Sequence, residues 1–401
     1  MLEAPNHAYV YLTTIFPESN VIAVAPPVAD LEGVPTMRKL ILLVAVILAF
    51  STTGFAQGDG KLQIHFMDVG QGDGAVLISP QGEVVLFDDG VKNNCTKPVS
   101  YLQGLGVTKI AYHIASHYHA DHIGCAKEVF SKFPLEKAAI DRGGSYNSTT
   151  YTDYVTATGT KRRTAVEGET ITLDAGTANP VLIRIIALNG NGVSTTNEND
   201  LSVVAMVKFG NFKAEIGGDL SGFATNRYED IETSVAPKIG QVEVYKVHHH
   251  CSQYSTNTTW IQTIQPKVAV VSVGDGNDYG HPTRECIEQL HNAGVKLYWT
   301  ERGAGEPPDS SVDVIAGNVV VQVLAGAPSF TVAHGTVTDT FPLWDSSGVP
   351  LPSTLRYAWS KRSGIYHFAE CKVVTTIKPE NLQRGDTPPQ GKTLHQLCPQ
   401  Q

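Results

Sequence analysis

Along the chain, apolar positions alternate with polar ones in short runs broken by glycine-rich turns, the pattern of half-buried strands. Residues 62–68 alternate in this way, and Gly70-Gln71-Gly72-Asp73-Gly74 then turns the chain. Residues 75–79 and 84–87 read as the next two strands, joined at Pro80-Gln81-Gly82, and the third ends on the paired carboxylates Asp88 and Asp89. The spacing predicts a helix over 98–105, a strand over 107–115 and a helix over 126–133. Between 141 and 172 the composition turns to Ser, Thr, Tyr and Gly, which predicts a mobile flap with a short helix near 151–156. A second strand-rich half begins at 181–188 and continues with 201–209 and 212–216, a hairpin closed at Gly210-Asn211 that finishes at Gly217-Gly218-Asp219. Further strands are expected over 242–247, 267–273 and 295–300, a helix over 284–293, and a closing hairpin of 312–316 with 319–324. Strands alternating with helices predict layered α/β architecture.

From about residue 327 the composition shifts to that of a linker. The core domain is therefore expected to span 57–326, and 327–401 to hold a linker and a small Cys/His-containing module. At the other end, Met37-Arg38-Lys39, the apolar run 40–50 and the small residues Gly54 and Ala56 read as a secretory signal peptide over 37–56. That run is too short to cross a bilayer. Met37 is the expected initiator, which places 1–36 outside the mature protein and predicts a secreted or periplasmic location. No other segment is apolar enough to span a membrane, so no integral membrane domain is expected.

Six cysteines, Cys95, Cys125, Cys251, Cys286, Cys371 and Cys398, all follow residue 56. An even count in an exported chain permits disulfides, but the spacing does not fix their connectivity. Cys371 with Cys398 is the favoured pair because both lie in the tail, where His367 with Cys371 also offers half a metal site. Cys125 and Cys251 could bridge or stay free. The net charge of −9 excludes a broadly basic nucleic-acid coat and leaves Lys161-Arg162-Arg163 as the candidate local cationic groove.

The chemistry concentrates in Ser116-His117-Tyr118-His119-Ala120-Asp121-His122, directly after an apolar run. A strand-to-helix turn can aim three imidazoles and a carboxylate into one volume, a donor set suited to Zn²⁺, Mn²⁺ or Fe. A second histidine group, His248-His249-His250, follows a predicted strand. If the strand continued, His248 and His250 would share a face that His249 does not.

The pattern H-x-H-x-D-H resembles the metal-binding signature of the metallo-β-lactamase superfamily. Asp68-Val69-Gly70-Gln71-Gly72-Asp73-Gly74, His249-His250-Cys251-Ser252 and Tyr279-Gly280-His281-Pro282 resemble, more narrowly, the hydrolase domain of ComEC-type DNA-uptake proteins. The likeness runs from about residue 62 to 324 and implies a four-layer αβ/βα sandwich, here with a small Cys-containing C-terminal tail. It implies that His117 and His119 hold one metal, that Asp121 and His122 hold a second, that Asp219 bridges both, and that His281 is the last ligand of the second. His249 is then the expected general acid or phosphate contact, with Asp121 and Asp219 the other catalytic groups. Asp68, Asp73 and Asp88 are the expected supports of the ligating imidazoles, tight-turn chemistry being an equal reading for Asp68 and Asp73. Where these relatives usually carry Gly, this chain has Cys125 and Cys251.

One departure from the superfamily changes the picture: no histidine occurs between His122 and His248, so a third imidazole for the first metal is missing. Asn199, Asp200 and Ser202 stand in its place, with His250 and Ser252 near the site. An oxygen donor there shifts preference from Zn²⁺ toward Mn²⁺. One or two divalent ions, Zn²⁺ or Mn²⁺, are expected, with phosphodiester hydrolysis in DNA outside the cytoplasm as the expected activity. The alternatives are hydrolysis of a lactam, a lactone or a phosphocholine-type envelope ester, or non-catalytic nucleic-acid binding.

Overall fold

The computed structural model describes residues 58–344, 357–368, 372–378, 381–385 and 389–395. The upstream extension 1–36, the signal segment 37–56, Cys371 and Cys398 lie outside the described residues, and with them the expected tail disulfide and half-site. No helix among the described residues is long and apolar enough to cross a membrane.

Two mixed sheets share an apolar layer. The first has nine strands in the order Val337–Pro342, Ser329–His334, Val319–Leu324, Lys61–Phe66, Gly74–Ile78, Val84–Asp89, Ile110–Ile114, Leu135–Asp141 and Arg162–Thr164. The second has eight, Asp313–Ile315, Lys296–Trp299, Val268–Val271, Val244–Lys246, Phe212–Ile216, Val204–Phe209, Val181–Ala187 and Thr170–Leu173. Successive strand residues face opposite ways, and the sequence uses both faces. Leu62, Ile64, Phe66, Ala75 and Leu77 meet Ile183, Val207, Val268 and Val270 of the second sheet. Val76, Ile78, Val84 and Leu86 face outward onto Leu102 and Val129, of the helices Thr96–Gly104 and Ala126–Lys132. Ala269, Val271, Leu297 and Trp299 face the helices Glu232–Ile239, Thr258–Ile264 and Arg284–Asn292 through Val235, Trp260 and Leu290. Helix, sheet, sheet and helix therefore stack in four layers, as expected. Strands buried on both faces read as continuous apolar runs, which is why Val268–Val271 is Val-Ala-Val-Val.

Four expectations change. The region after 326 is not yet a linker: Ser329–His334 and Val337–Pro342 pair antiparallel and extend the first sheet. Phe330 and Val332 enter the core, with the Phe330 ring 5.6 Å from that of Phe212. The expected closing hairpin does not form either. Asp313–Ile315 pairs in parallel with Lys296–Trp299, whereas Val319–Leu324 pairs antiparallel with Lys61–Phe66, so the chain changes sheet at 316–318. Alternation tells which residues are buried but not which sheet buries them.

The Ser/Thr/Tyr-rich stretch, expected as a flap, is instead a built edge of the first sheet. Helix Thr149–Thr158 starts on Ser148, whose hydroxyl accepts from Tyr151 N at 3.0 Å. The buried Tyr154 hydroxyl donates to Asp141 at 2.9 Å. The basic trio is consumed internally: Lys161 donates to the carbonyls of Leu135 and Glu136, Arg162 to Asp141 at 2.6 Å, and Arg163 to Glu169 at 2.8 Å. No cationic groove forms there. In the C-terminal region a small separate sheet orders Leu382–Gly385, Tyr357–Ser360, Ile365–Phe368 and Thr393–Leu394.

Candidate metal centre

Where strand Ile110–Ile114 ends, the histidine turn is fastened from several directions: Asp89 N donates to His122 O at 2.7 Å, Lys92 N to Ala120 O at 2.9 Å, Asp73 N to Asp121 O at 3.0 Å and Val203 N to Ser116 O at 2.8 Å. Asp88, in left-handed backbone at φ 50° at the end of its strand, organises the turn from beneath. Its carboxylate accepts from Ser116 N and Oγ, both at 2.7 Å, and from His122 Nδ1 at 2.8 Å. With Nδ1 donating, His122 presents the lone pair of Nε2 to the site. Beside it, His117 Nε2 and His119 Nδ1 stand 3.0 Å apart.

Asp219 arrives from the second half, just past strand Phe212–Ile216. Gly218 has φ +64° and lies so close to Ser116 that a side chain there would collide with it, which lets the two halves meet. The Asp219 carboxylate reaches both sets of imidazoles: Oδ1 is 3.2 Å from His122 Nε2, while Oδ2 is 3.9 Å from His117 Nε2, 3.6 Å from His250 Nε2 and 4.0 Å from His249 Nε2.

The second histidine group does not continue as a strand. After Val244–Lys246 the backbone turns left-handed at His249, His250 and Cys251, with φ 50°, 53° and 61°. The alternation expected of a strand is thereby broken. His249 and His250 both face the site, and His248 turns away between Glu232, 2.8 Å from Nδ1, and Glu215, 3.1 Å from Nε2. Burial alone would lower the pKa of His248, but Glu215 and Glu232 carry it up to about 9. His250 Nδ1 donates to Ser272 O at 2.9 Å, which leaves Nε2 as the free lone pair, 3.4 Å from Asp121. Asn199 Nδ2 donates to His249 Nε2 at 3.0 Å.

Four residues result, Asp121, His122, Asp219 and His250, whose ligand atoms all lie within 4.8 Å of one another. His122 Nε2, His250 Nε2 and Asp219 Oδ1 are buried without a hydrogen-bond partner. Buried polar atoms are ordinarily paired, so orphaned atoms converging on one point fit a cation. Burial would raise the Asp219 carboxyl, but His122, His250 and His249 hold it well below the usual carboxylate range. Against the same burial, His122 and His250 keep Asp121 at about 2. Burial, reinforced by neighbouring imidazoles, pushes His117 well below its ordinary value, His249 to about 4 and His281 to about 3. Within the four-residue cluster the direction is opposite: against burial, Asp219 and the neighbouring carboxylates raise His122 well above its ordinary value and His250 above its own, so both would give up a proton on taking a metal.

Of the residues singled out in the sequence, His117, His119, Asp121, His122 and Asp219 come together. His281 does not join the four. It lies in the same pocket, its ring 6.2 Å from that of His250 and 5.6 Å from that of His249, while His250 is the second-half histidine that falls within the cluster. Asp88 supports His122 as expected, and Asp73 lies 3.5 Å from His250 Nδ1 while paired with the buried Lys246. Asp73, Asp88 and His122 also lie close together, but Lys246 already supplies the cation there. Asp68 instead serves the surface, accepting from Lys97 at 2.8 Å and Gly70 N at 3.1 Å. Asp200 accepts from Thr195 at 2.7 Å and Glu229 N at 3.0 Å. Asn199 and Ser252 line the pocket, and Ser202 Oγ lies 3.4 Å from His117 Nδ1. Arg227, Tyr228 and Tyr254, which also line it, carried no motif.

Both cysteines left open by the sequence are bridged. Cys125, closing the histidine turn, bonds Cys95 at the start of helix Thr96–Gly104, and Cys251, directly after His250, bonds Cys286 within helix Arg284–Asn292. Each half of the centre is stapled to a helix.

The family model of the metallo-beta-lactamase superfamily matches residues 73–192, which include the whole histidine turn. The chain carries a metallo-β-lactamase superfamily domain. Among curated relatives of this domain, "ComE operon protein 3" of Bacillus subtilis (strain 168) is 23% identical over 261 residues, 60% of this chain and 32% of the relative. "Competence protein ComA" of Neisseria gonorrhoeae is 24% identical over 307 residues, 73% of this chain and 40% of the relative. The chain thus spans well under half the length of these relatives. Among solved structures, the metallo-beta-lactamase fold protein YhfI from Bacillus subtilis is 13% identical, with a TM-score of 0.39 over 62% of this chain and 99% of its own.

Proposed function

We propose that this domain is a metal-dependent phosphodiesterase that cleaves nucleic acid outside the cytoplasm. The observation that carries the reading is the position of Asp219, a buried carboxylate between imidazoles of both halves with an unpartnered oxygen, at the floor of an open pocket. His122, Asp121, Asp219 and His250 would hold one divalent ion, and His117 and His119, with Asp219 shared, a second. The donors are nitrogen and oxygen without thiolate, compatible with Zn²⁺ or Mn²⁺. A cation bound there acidifies water and neutralises charge on an attacked phosphate.

The chain's own groups do the rest. Asp88 and the Ser272 carbonyl fix the tautomers of His122 and His250. His249, beside Asp219 with Asn199 at its Nε2, is the group assigned in this reading to protonate a leaving oxygen. The relative named for competence supports nucleic acid as substrate. The two disulfides support an oxidising compartment, as does the signal-like segment in the sequence. Purified protein given Mn²⁺ or Zn²⁺ should cleave an oligonucleotide, lose that activity to a chelator, and lose it in Asp219→Asn. Metal uptake without cleavage of any phosphodiester would instead point to another ester.

A further inference from the structure

The wall of the pocket carries two side chains that the metal centre does not use. The cavity, of about 490 Å³, is lined at its floor by Asp121, Asp219 and His250 and elsewhere by Arg227 and Tyr279. Tyr279 is 68% exposed, the most exposed of the large hydrophobic side chains among the described residues. Folding normally recovers contact area from so large a ring. Its attitude is nevertheless fixed. The ring lies over His281 with centroids 5.7 Å apart and planes 24° apart, and Asn277 Oδ1 accepts from both Tyr279 N and His281 N at 3.1 Å. What is held in place is a flat π surface at the edge of a cavity, most of it in water.

Arg227 is the complementary feature. Arg142, Arg162, Arg163 and Arg284 each hold a carboxylate. Arg227, like Arg184, Arg302 and Arg362, holds none among the described residues, but of these it is the one that lines the pocket; its guanidinium stands 5.4 Å from the centroid of Tyr228, whose ring lies 4.7 Å from that of Tyr254. An exposed guanidinium without an acid partner, beside a centre suited to polarising a phosphate, is placed for an anionic oxygen. An anionic group and a flat ring, joined by a short spacer, describe one nucleotide.

We infer that Arg227 and Tyr279 form a nucleotide subsite beside the metal centre, Arg227 taking a phosphate oxygen and Tyr279 stacking a base that is not paired. This rests on the phosphodiester reading above and adds which residues select the substrate. Bases inside a duplex already have both faces covered, so the subsite favours an unpaired strand. Stacking on an aromatic side chain is sequence-tolerant, because every base has a π face.

The competing role for Tyr279 is to prop His281, and the test separates the two. A short single-stranded oligonucleotide and an abasic strand of equal length, both with phosphorothioate linkages to slow hydrolysis, are titrated by fluorescence anisotropy against the full chain supplied with Mn²⁺. Wild type should bind the base-bearing strand about tenfold more tightly. Tyr279→Ala should erase that difference and Tyr279→Phe keep it. Arg227→Ala should weaken both strands alike and lower the salt dependence by about one phosphate contact. Equal binding of the two strands by wild type, or a difference that survives in Tyr279→Ala, overturns the subsite. If the discrimination holds but normal phosphodiester strands are not cleaved with Mn²⁺ or Zn²⁺, the phosphodiesterase reading fails and the binding subsite stands. Cleavage without discrimination is the reverse.

Discussion

His250 Nε2 lies 3.6 Å from Asp219 Oδ2, and this pairing rather than one through His281 completes the four-residue cluster. His250→Ala should therefore lower divalent-metal affinity by about 100-fold or more, since even supports behind a ligand cost 10–100-fold. His281→Ala should leave affinity within a few-fold of wild type. Equilibrium dialysis with elemental analysis reads both. The opposite ranking would return His281 to the ligand set.

Asp88 reaches the centre only through His122 and Ser116. Asp88→Asn should keep the fold while weakening metal binding by about 10–100-fold, because an amide no longer enforces the His122 tautomer. Circular dichroism and metal titration on one sample would check both halves of this expectation. Unchanged affinity would make Asp88 a turn residue alone.

The Cys251–Cys286 bridge closes a 35-residue separation and the Cys95–Cys125 bridge one of 30. Removing either by paired Cys→Ser substitution should cost about 2–4 kcal/mol of stability in a chain-entropy account. The loss of Cys251–Cys286 should also weaken metal binding, because it frees the backbone beside His250. A thiol reductant should reproduce both effects in wild type. Denaturant melts with and without reductant supply the measurement.

A cation that binds the native centre and not the unfolded chain stabilises the fold in proportion to the logarithm of its concentration, by about 2.7 kcal/mol at a hundred times Kd. The melting temperature should rise with added Mn²⁺ or Zn²⁺ and fall back on chelation. In Asp219→Asn that dependence should largely vanish. A metal-independent melting temperature in wild type would count against the centre.

Phe330 is 1% exposed and packs across the sheets onto Phe212. Phe330→Ala should cost about 3–5 kcal/mol, the range for a buried aromatic. A residue in a flexible linker would cost nearly nothing, so urea denaturation decides where the domain ends.

The sequence by itself determined the layered α/β class, most of the strands and the first half of the centre. It could do so because those features are local. Alternation marks a strand, and the histidine turn holds its donors within six residues, His117 to His122, so their convergence follows from a single bend of the chain. Tertiary structure alone decided which second-half histidine completes the cluster, because that depends on three consecutive left-handed residues, His249, His250 and Cys251, that no periodicity encodes. The basic trio shows the same limit: Arg162 is as polar as any surface arginine, and only the fold places Asp141 beside it. Likewise the apolar alternation of 319–324 announces burial, but which sheet takes the strand is settled by pairing with residues hundreds of positions away, such as Ile64 with Val321. Local geometry is written in neighbouring residues, whereas pairing, burial of charge and convergence of ligands exist only once distant segments meet.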